Sequence, residues 1–372
     1  MLRRLMVGWL LGIAVVLGVR GVYGDALSLP DASQVLGYDG GTLGAIDLGT
    51  LGGSESKALG VNEYGVVVGQ SRDAAGTLRP FVWHGGTMTD PGTPAGAVGE
   101  AWAVGGDGTV VGSTVGPDDR LRAFRTTGAG VELHAFADSY DTWACGVNDS
   151  GQAVGYAGPF AYLWDGETTT ALDPLLESGA ASAADINNAS VTVGRSTDEL
   201  GYWHATIWDS PDASARDLGT LGGAESAAHA INELGYVVGQ SRTVGGDWHA
   251  FASAGAGPMT DLGTLGGSTS IARDINNYGY IVGGSRDASN AMRAFMFYDG
   301  VMTDLNDLLA PGADWTLVEA TGINNTGQIV GWGWHENRKR AFMLDVEVVP
   351  EPATLGLVGL AVLGVLRRRR GG

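Results

Sequence analysis

A single cysteine, Cys145, stands in 372 residues, so no disulfide can form within the chain. If the protein is exported, packing alone must hold it together. The plain reading of Cys145 is a small buried apolar side chain. Basic residues are also scarce: 22 Lys and Arg against 41 Asp and Glu give a formal charge of −19. That sign argues against nucleic acid and anionic membrane surfaces as partners of the main body. The six histidines, His84, His134, His204, His229, His249 and His335, include no pair at metal-ligand spacing. There is no G-x-S-x-G, no phosphate-binding loop and no dinucleotide fingerprint. No cofactor, no metal and no catalytic residue is therefore expected.

Glycine is what the chain has in excess, 62 residues without a three-residue period. This fits short strands joined by tight turns. The glycines belong to a repeat. Residues 217–223 read Asp-Leu-Gly-Thr-Leu-Gly-Gly, and the same heptapeptide begins again at Asp261, after 44 residues. Within each unit a Val or Ile followed by Asn marks a turn: Asn62, Asn148, Asn187, Asn232, Asn276 and Asn324, with a worn copy at Gly105. Seven copies at steps of 43, 43, 39, 45, 44 and 48 residues indicate a propeller or another closed or stacked array. Asn can bond backbone two residues on, and a glycine three residues later tolerates positive φ. In the fourth copy Ser190 replaces that glycine, which predicts a strained or differently shaped turn.

Four strands surround each turn. Strand a carries an alanine three residues before the Val or Ile in all seven units, from Ala58 to Ala320, as a crowded inner strand requires. Strand b is short and β-branched, as in Val66-Val67-Val68-Gly69. Strand c carries an aromatic residue, Phe81, Phe124, Tyr162, Phe251, Phe295 or Phe342, with Thr206 as the exception. Strand d is Met-Thr-Asp or a relative of it. Four short antiparallel strands per unit of about 44 residues give an all-β, seven-bladed β-propeller of four-stranded blades. The seventh unit lacks strand d, and residues 44–48 supply a spare one. Closure by pairing Ile46, Asp47 and Leu48 with the strand of Phe342 is the expectation.

Asp185 and Asp274 precede Ile186 and Ile275 where other units have Gly or Ala. They could face the central channel as a carboxylate pair, the arrangement that glycoside hydrolysis uses. His204 and His249 occupy a position that is Arg in other units, which places them at a polar start of strand c. The units differ mostly in loop length, and that uniformity favours binding or scaffolding over catalysis. The leading reading is an exported non-catalytic propeller that binds or organises a partner. The alternatives are a carbohydrate-active propeller enzyme, hydrolase or lyase, and a purely structural surface protein.

The termini speak of export. Arg3 and Arg4 precede an apolar run at residues 5–19, and Val22-Tyr23-Gly24 ends a three-part signal peptide pattern cut by signal peptidase after Gly24. Pro350, Glu351 and Pro352 precede 14 residues, too few for a simple spanning helix, and then Arg367, Arg368, Arg369 and Arg370. This tail resembles the PEP-CTERM sorting signal. The resemblance implies recognition by an exosortase, transient membrane insertion of the precursor and a Gram-negative cell surface. The repeat units with His249-Ala250-Phe251 resemble the HAF repeat of bacterial extracellular proteins, which brings no catalytic residue. The chain divides into signal peptide 1–24, linker 25–43, propeller 44–346 and sorting tail 347–372. Removing both ends, with Glu347 and Glu351 kept, takes away seven of the 22 basic residues, leaving 15 against 41 acidic ones, a charge of −26. Extracellular polysaccharide or a surface protein is the expected partner, with anionic polysaccharide repelled unless divalent cations bridge.

Overall fold

The computed structural model describes residues 43–136, 140–255 and 257–348. These build seven antiparallel four-stranded sheets. Blade 1 has strand a at Gly52–Val61, b at Val67–Asp73, c at Leu78–His84 and d at Thr87–Thr89. The order repeats through blade 6, whose strand d is Val301–Asp304. Blade 7 takes its first three strands from Trp315–Ile323, Gln328–His335 and Arg338–Asp345, and its fourth from Ile46–Asp47. Ile46 pairs with Met343 and Asp47 with Phe342, and Leu48 N–H donates to Ala341 O at 3.0 Å. The expected closure of the ring by its N-terminal strand is therefore the observed one.

The repeated residues are those that pack. The seven alanines of strand a are buried, as are the aromatic residues of strand c. The glycine ending each Val-Val-Gly sits beneath that aromatic ring. A Cβ on Gly69 would lie 2.1 Å from Lys57 O and 2.9 Å from the Phe81 ring, so no larger residue fits. In blade 4 Thr206 occupies the aromatic position, and buried Trp208, two residues on, fills the space and donates from Nε1 to Asp173 O at 2.7 Å. Apolar clusters lie between blades: Ala230, Val238 and Ala250 of blade 5 pack with Ala272, Ile281 and Phe295 of blade 6. Each such large side chain contributes roughly 1.5–3 kcal/mol by burial.

The heptapeptide and the His-Ala-Phe segment are two halves of one contact. Asp261 accepts Gly263 N–H and pairs with His249 Nδ1 at 2.9 Å. Leu262 N–H donates to Ala250 O, and Phe251 enters the core. Blade 4 repeats this with His204 and Asp217 at 2.8 Å, and blade 1 uses Arg79 with Asp90 at 2.6 Å. The His and Arg interchange because either side chain can donate an N–H to the aspartate that opens the next unit.

The asparagine turns do more than the turn chemistry requires. Asn62 Oδ1 accepts the N–H groups of Tyr64 and Val66, closing its own turn. Its amide donates across to Gly105 O of blade 2 at 2.9 Å. Asn148, Asn187, Asn232, Asn276 and Asn324 each donate likewise to the next blade, the last back to Asn62 O at 2.9 Å. Gly105 interrupts this ring of amides because blade 3 comes close there: a Cβ would sit 2.8 Å from Asn148 O. Ser190 adopts φ 60 and bonds Asn187 O at 3.0 Å, so its turn keeps the shape of the others. Of the two expected outcomes, a strained turn is observed and a differently shaped one is not. The conformational cost falls on a non-glycine residue, and its Oγ donates to Gln152 at 2.7 Å.

Candidate functional site

Every strand a carries a β-bulge just after its buried alanine. In blade 1 the ladder passes from Ala58 opposite Gly69 to Gly60 opposite Val68, leaving Leu59 unpaired. The same shift recurs in the other six blades. An extra residue bends the strand and re-aims its side chain. The bulged residues of the seven blades in turn are Leu59, Trp102, Cys145, Ala184, His229, Arg273 and Thr321, and all line one central cavity of about 760 Å³. A further layer comes from the residue before the alanine and its cross-strand partner after the Gly of strand b: Lys57 with Gln70, Ser182 with Arg195, Glu319 with Trp332, and from two other such pairs Glu100 and Tyr156. No residue recurs in the bulge column. The same strands that repeat Ala and Gly on their packed side vary on the cavity side, where only a few residues recur, such as Glu100 with Glu319 and Gln70 with Gln240. This corrects the expectation that the units differ mostly in loop length.

One side of the cavity is tied within itself. Arg273 Nε meets Glu319 at 2.7 Å, and Trp332 Nε1 donates to the same carboxylate at 3.0 Å. Burial pushes Glu319 up, but Arg273 and Trp332 outweigh it and hold the carboxyl below its usual range. Lys57 Nζ lies 4.8 Å from the Trp332 ring centre. His229 Nδ1–H donates to Ala272 O at 2.9 Å, and burial with the Arg273 charge lowers its pKa to about 4, so the ring is neutral.

The opposite side, blades 2 to 4, offers unspent groups. Trp102 is 37% exposed to the cavity. Tyr156 stacks on Trp143 at 4.8 Å, and burial, then the Cys145 sulfur, push its hydroxyl up to about 12. Arg195 rests over Trp203 at 4.5 Å and has no carboxylate in ion-pair contact among the described residues. Burial raises the Glu100 carboxyl, opposed only by Lys57. Cys145 is not in the packed core as expected. It is half-buried on the cavity wall, and burial followed by the Asp185 charge raises its thiol to about 12.

Asp185 and Asp274 do line the cavity, but they are not a free pair. Asp185 accepts Ile186 N–H at 2.8 Å and, across to blade 5, Ile231 N–H at 3.0 Å. Asp274 does the same with Ile275 at 2.8 Å and, in blade 7, Ile323 at 2.8 Å. Both oxygens of each carboxylate are thus committed to backbone. Burial raises both groups to about 7 despite those bonds. They are staples between blades.

Sequence reasoning named none of Trp102, Tyr156, Arg195 or Glu100. The signal was in the aligned units, as columns where residues vary, with no repeat at the bulge of Trp102 and few in the columns of Glu100, Tyr156 and Arg195. Among the described residues no group of three His, Cys, Asp or Glu side chains is placed to hold a metal ion. The residues of the sorting motif, Pro350, Glu351, Pro352 and Arg367 to Arg370, lie outside the described residues, as do the signal peptide and most of the linker.

The family described as Protein of unknown function (DUF3466) matches residues 177–351, which is less than half of the chain. No curated protein matches. Among solved structures, a gluconolactonase from Xanthomonas campestris is 13% identical, with a TM-score of 0.43 over 86% of this chain and 93% of its own. The BP39L lectin from Burkholderia pseudomallei is 11% identical, with a TM-score of 0.45 over 80% of this chain and 100% of its own. A Trypanosoma rangeli sialidase is 10% identical, with a TM-score of 0.40 over 78% of this chain and 53% of its own. Likenesses this distant carry no argument about activity. The C-terminus carries the PEP-CTERM protein-sorting motif at residues 348–370, which implies export to the bacterial cell surface with processing by exosortase.

Proposed function

We propose that this protein is an exported, non-catalytic β-propeller that binds saccharide in its central cavity, at the cell surface or within extracellular polysaccharide. One observation carries the reading. The seven units agree where they pack and vary where they face the cavity, with seven different residues at the bulge, which is the pattern of a scaffold presenting a specific lining. The cavity, about 760 Å³, falls within the roughly 300–1,000 Å³ usual for ligand pockets. Its wall mixes indole and phenol rings with amides and charges, as a sugar with an apolar face and hydroxyl edges requires.

Export follows from the sorting motif, and the likeness to the HAF repeat of bacterial extracellular proteins agrees with it. In this reading a Gram-negative host inserts the precursor by residues 353–366, removes residues 1–24, and leaves the ring of residues 44–346 outside. A hydrolase or lyase is the weaker reading, because the two aspartates with raised pKa hold their oxygens on backbone N–H groups and have none free for proton transfer.

The test is a glycan array probed with the mature protein, followed by product analysis on every glycan retained. Retention without turnover is expected. Cleavage of a retained glycan, with loss of that activity in Asp185→Asn or Asp274→Asn, would make it an enzyme.

A further inference from the structure

Resting on the binding reading, we infer that the cavity selects an acidic saccharide, a pyranose bearing a carboxylate, and that Arg195 is its anion-binding group. Internal contacts engage several of the charged groups that line the cavity. Arg273 is neutralised by Glu319. Asp185 and Asp274 are engaged by backbone. What is left facing the cavity is Lys57, Arg195 and Glu100, of which Lys57 is the cation whose field acts on Glu100. Arg195 is thus the cavity arginine with no carboxylate in ion-pair contact among the described residues, inside a molecule of net charge −19. The overall charge is screened beyond about 8 Å at physiological salt, so the nearest groups decide.

Geometry gives the rest. Glu100, Tyr156 and Arg195 stand on adjacent blades 2, 3 and 4, in one layer, because each is part of the cross-strand pair that flanks the buried alanine. Arg195 is fixed by its ring contact with Trp203 at 4.5 Å, and its fork of donors has no partner acid among the described residues. A planar guanidinium so placed matches a carboxylate in bidentate fashion, which a hydroxyl cannot equal. Tyr156 hydroxyl and Glu100 carboxyl supply a donor and an acceptor for ring hydroxyls. Trp102, one bulge residue away, offers an exposed indole for the apolar C–H face of the sugar. Lectin-like binding of a neutral sugar would leave Arg195 desolvated without a counter-charge, at a cost in affinity.

The experiment is isothermal titration of the mature protein at pH 7 with disaccharides containing glucuronate, galacturonate or mannuronate, each beside its carboxyl-reduced neutral counterpart, and with sodium sulfate alone. At least one uronate disaccharide is expected to bind ten-fold or more tightly than its reduced form. Arg195→Gln should erase that preference, Arg195→Lys should keep part of it, and Trp102→Ala should weaken both members of the pair alike. Equal affinity for both members, or sulfate competing as well as the disaccharide, would overturn the inference. Binding confined to neutral glycans would overturn it while leaving saccharide binding intact. No binding to any glycan on the array would remove both.

Discussion

Removal of residues 25–48 is expected to destabilise the ring by about 5 kcal/mol and to lower its melting temperature by on the order of 10 °C. Three contributions make up that figure. Leu48 is buried between blades 1 and 7, worth about 2 kcal/mol. Leu48 N–H bonds Ala341 O, Leu43 N–H bonds Leu308 O, and Ala310 N–H bonds Leu43 O, each at about 1 kcal/mol net. Asp47 also pairs with His335 and Arg340 at 3.2 and 3.4 Å, an exposed contact of small value. The loss should be cooperative, because every blade is packed on two neighbours and an opened ring frees both faces of a junction. The uncovered strand Arg338–Asp345 would present an open edge, so self-association should follow. Thermal and urea unfolding, with light scattering, read both effects. A melting temperature within 2 °C of the intact chain would show that Ile46–Asp47 is an ornament on an already closed ring.

The second large effect is on pH dependence. Asp185 and Asp274 hold their protons more tightly folded than unfolded, because burial raises both to about 7. The sign is then fixed. The folded state binds more protons between the unfolded pKa near 4 and the folded one near 7, so stability is complete below about pH 4 and is lost as pH rises to about 7. Allowing for cavity water, each aspartate should contribute a loss of about 2 kcal/mol between pH 5 and pH 8. Asparagine mimics the protonated acid in shape and in having one acceptor oxygen. The Asp185→Asn, Asp274→Asn double variant should therefore match the natural chain at pH 5 and equal or exceed it at pH 8. Urea midpoints across that range test it. Parallel curves for the two proteins would mean that the backbone N–H bonds keep both carboxylates ionised.

How the fold could be read from the residues, and where that reading stopped, follows from what repetition marks. Ala58 and its six counterparts, the Val-Val-Gly segments and the strand-c aromatics recur because seven equal junctions demand the same volume. Period, strand order and the displaced fourth strand of blade 7 were all legible from them. The bulge was not, since one extra residue in strand a leaves the count within each unit unchanged. Without the bulge, Trp102, Cys145 and His229 read as ordinary strand positions, and Cys145 as a core residue. The asparagine amides were legible as turn formers but not as a blade-to-blade ring, because a side chain serving its own turn through Oδ1 gives no sign of where Nδ2 points. Asp185 and Asp274 were recognised as channel-facing. That their oxygens meet Ile231 and Ile323 of the next blade depends on distances no spacing reveals. The cavity lining itself lies in columns of disagreement, which a search for repeats discards.

Cys145 offers the most direct measurement. It is the sole cysteine of the chain and stands on the cavity wall beside the proposed site. Its thiol reacts slowly because burial raises it to about 12, so modification by a small uncharged methanethiosulfonate at pH 8.5 can be followed over hours by mass spectrometry. With the uronate disaccharide that binds best added at increasing concentration, the modification rate should fall in step with the occupancy measured by titration, and Arg195→Gln should abolish the protection. A rate unchanged at saturating disaccharide would place the ligand elsewhere and contradict the assignment of the central cavity as the binding site.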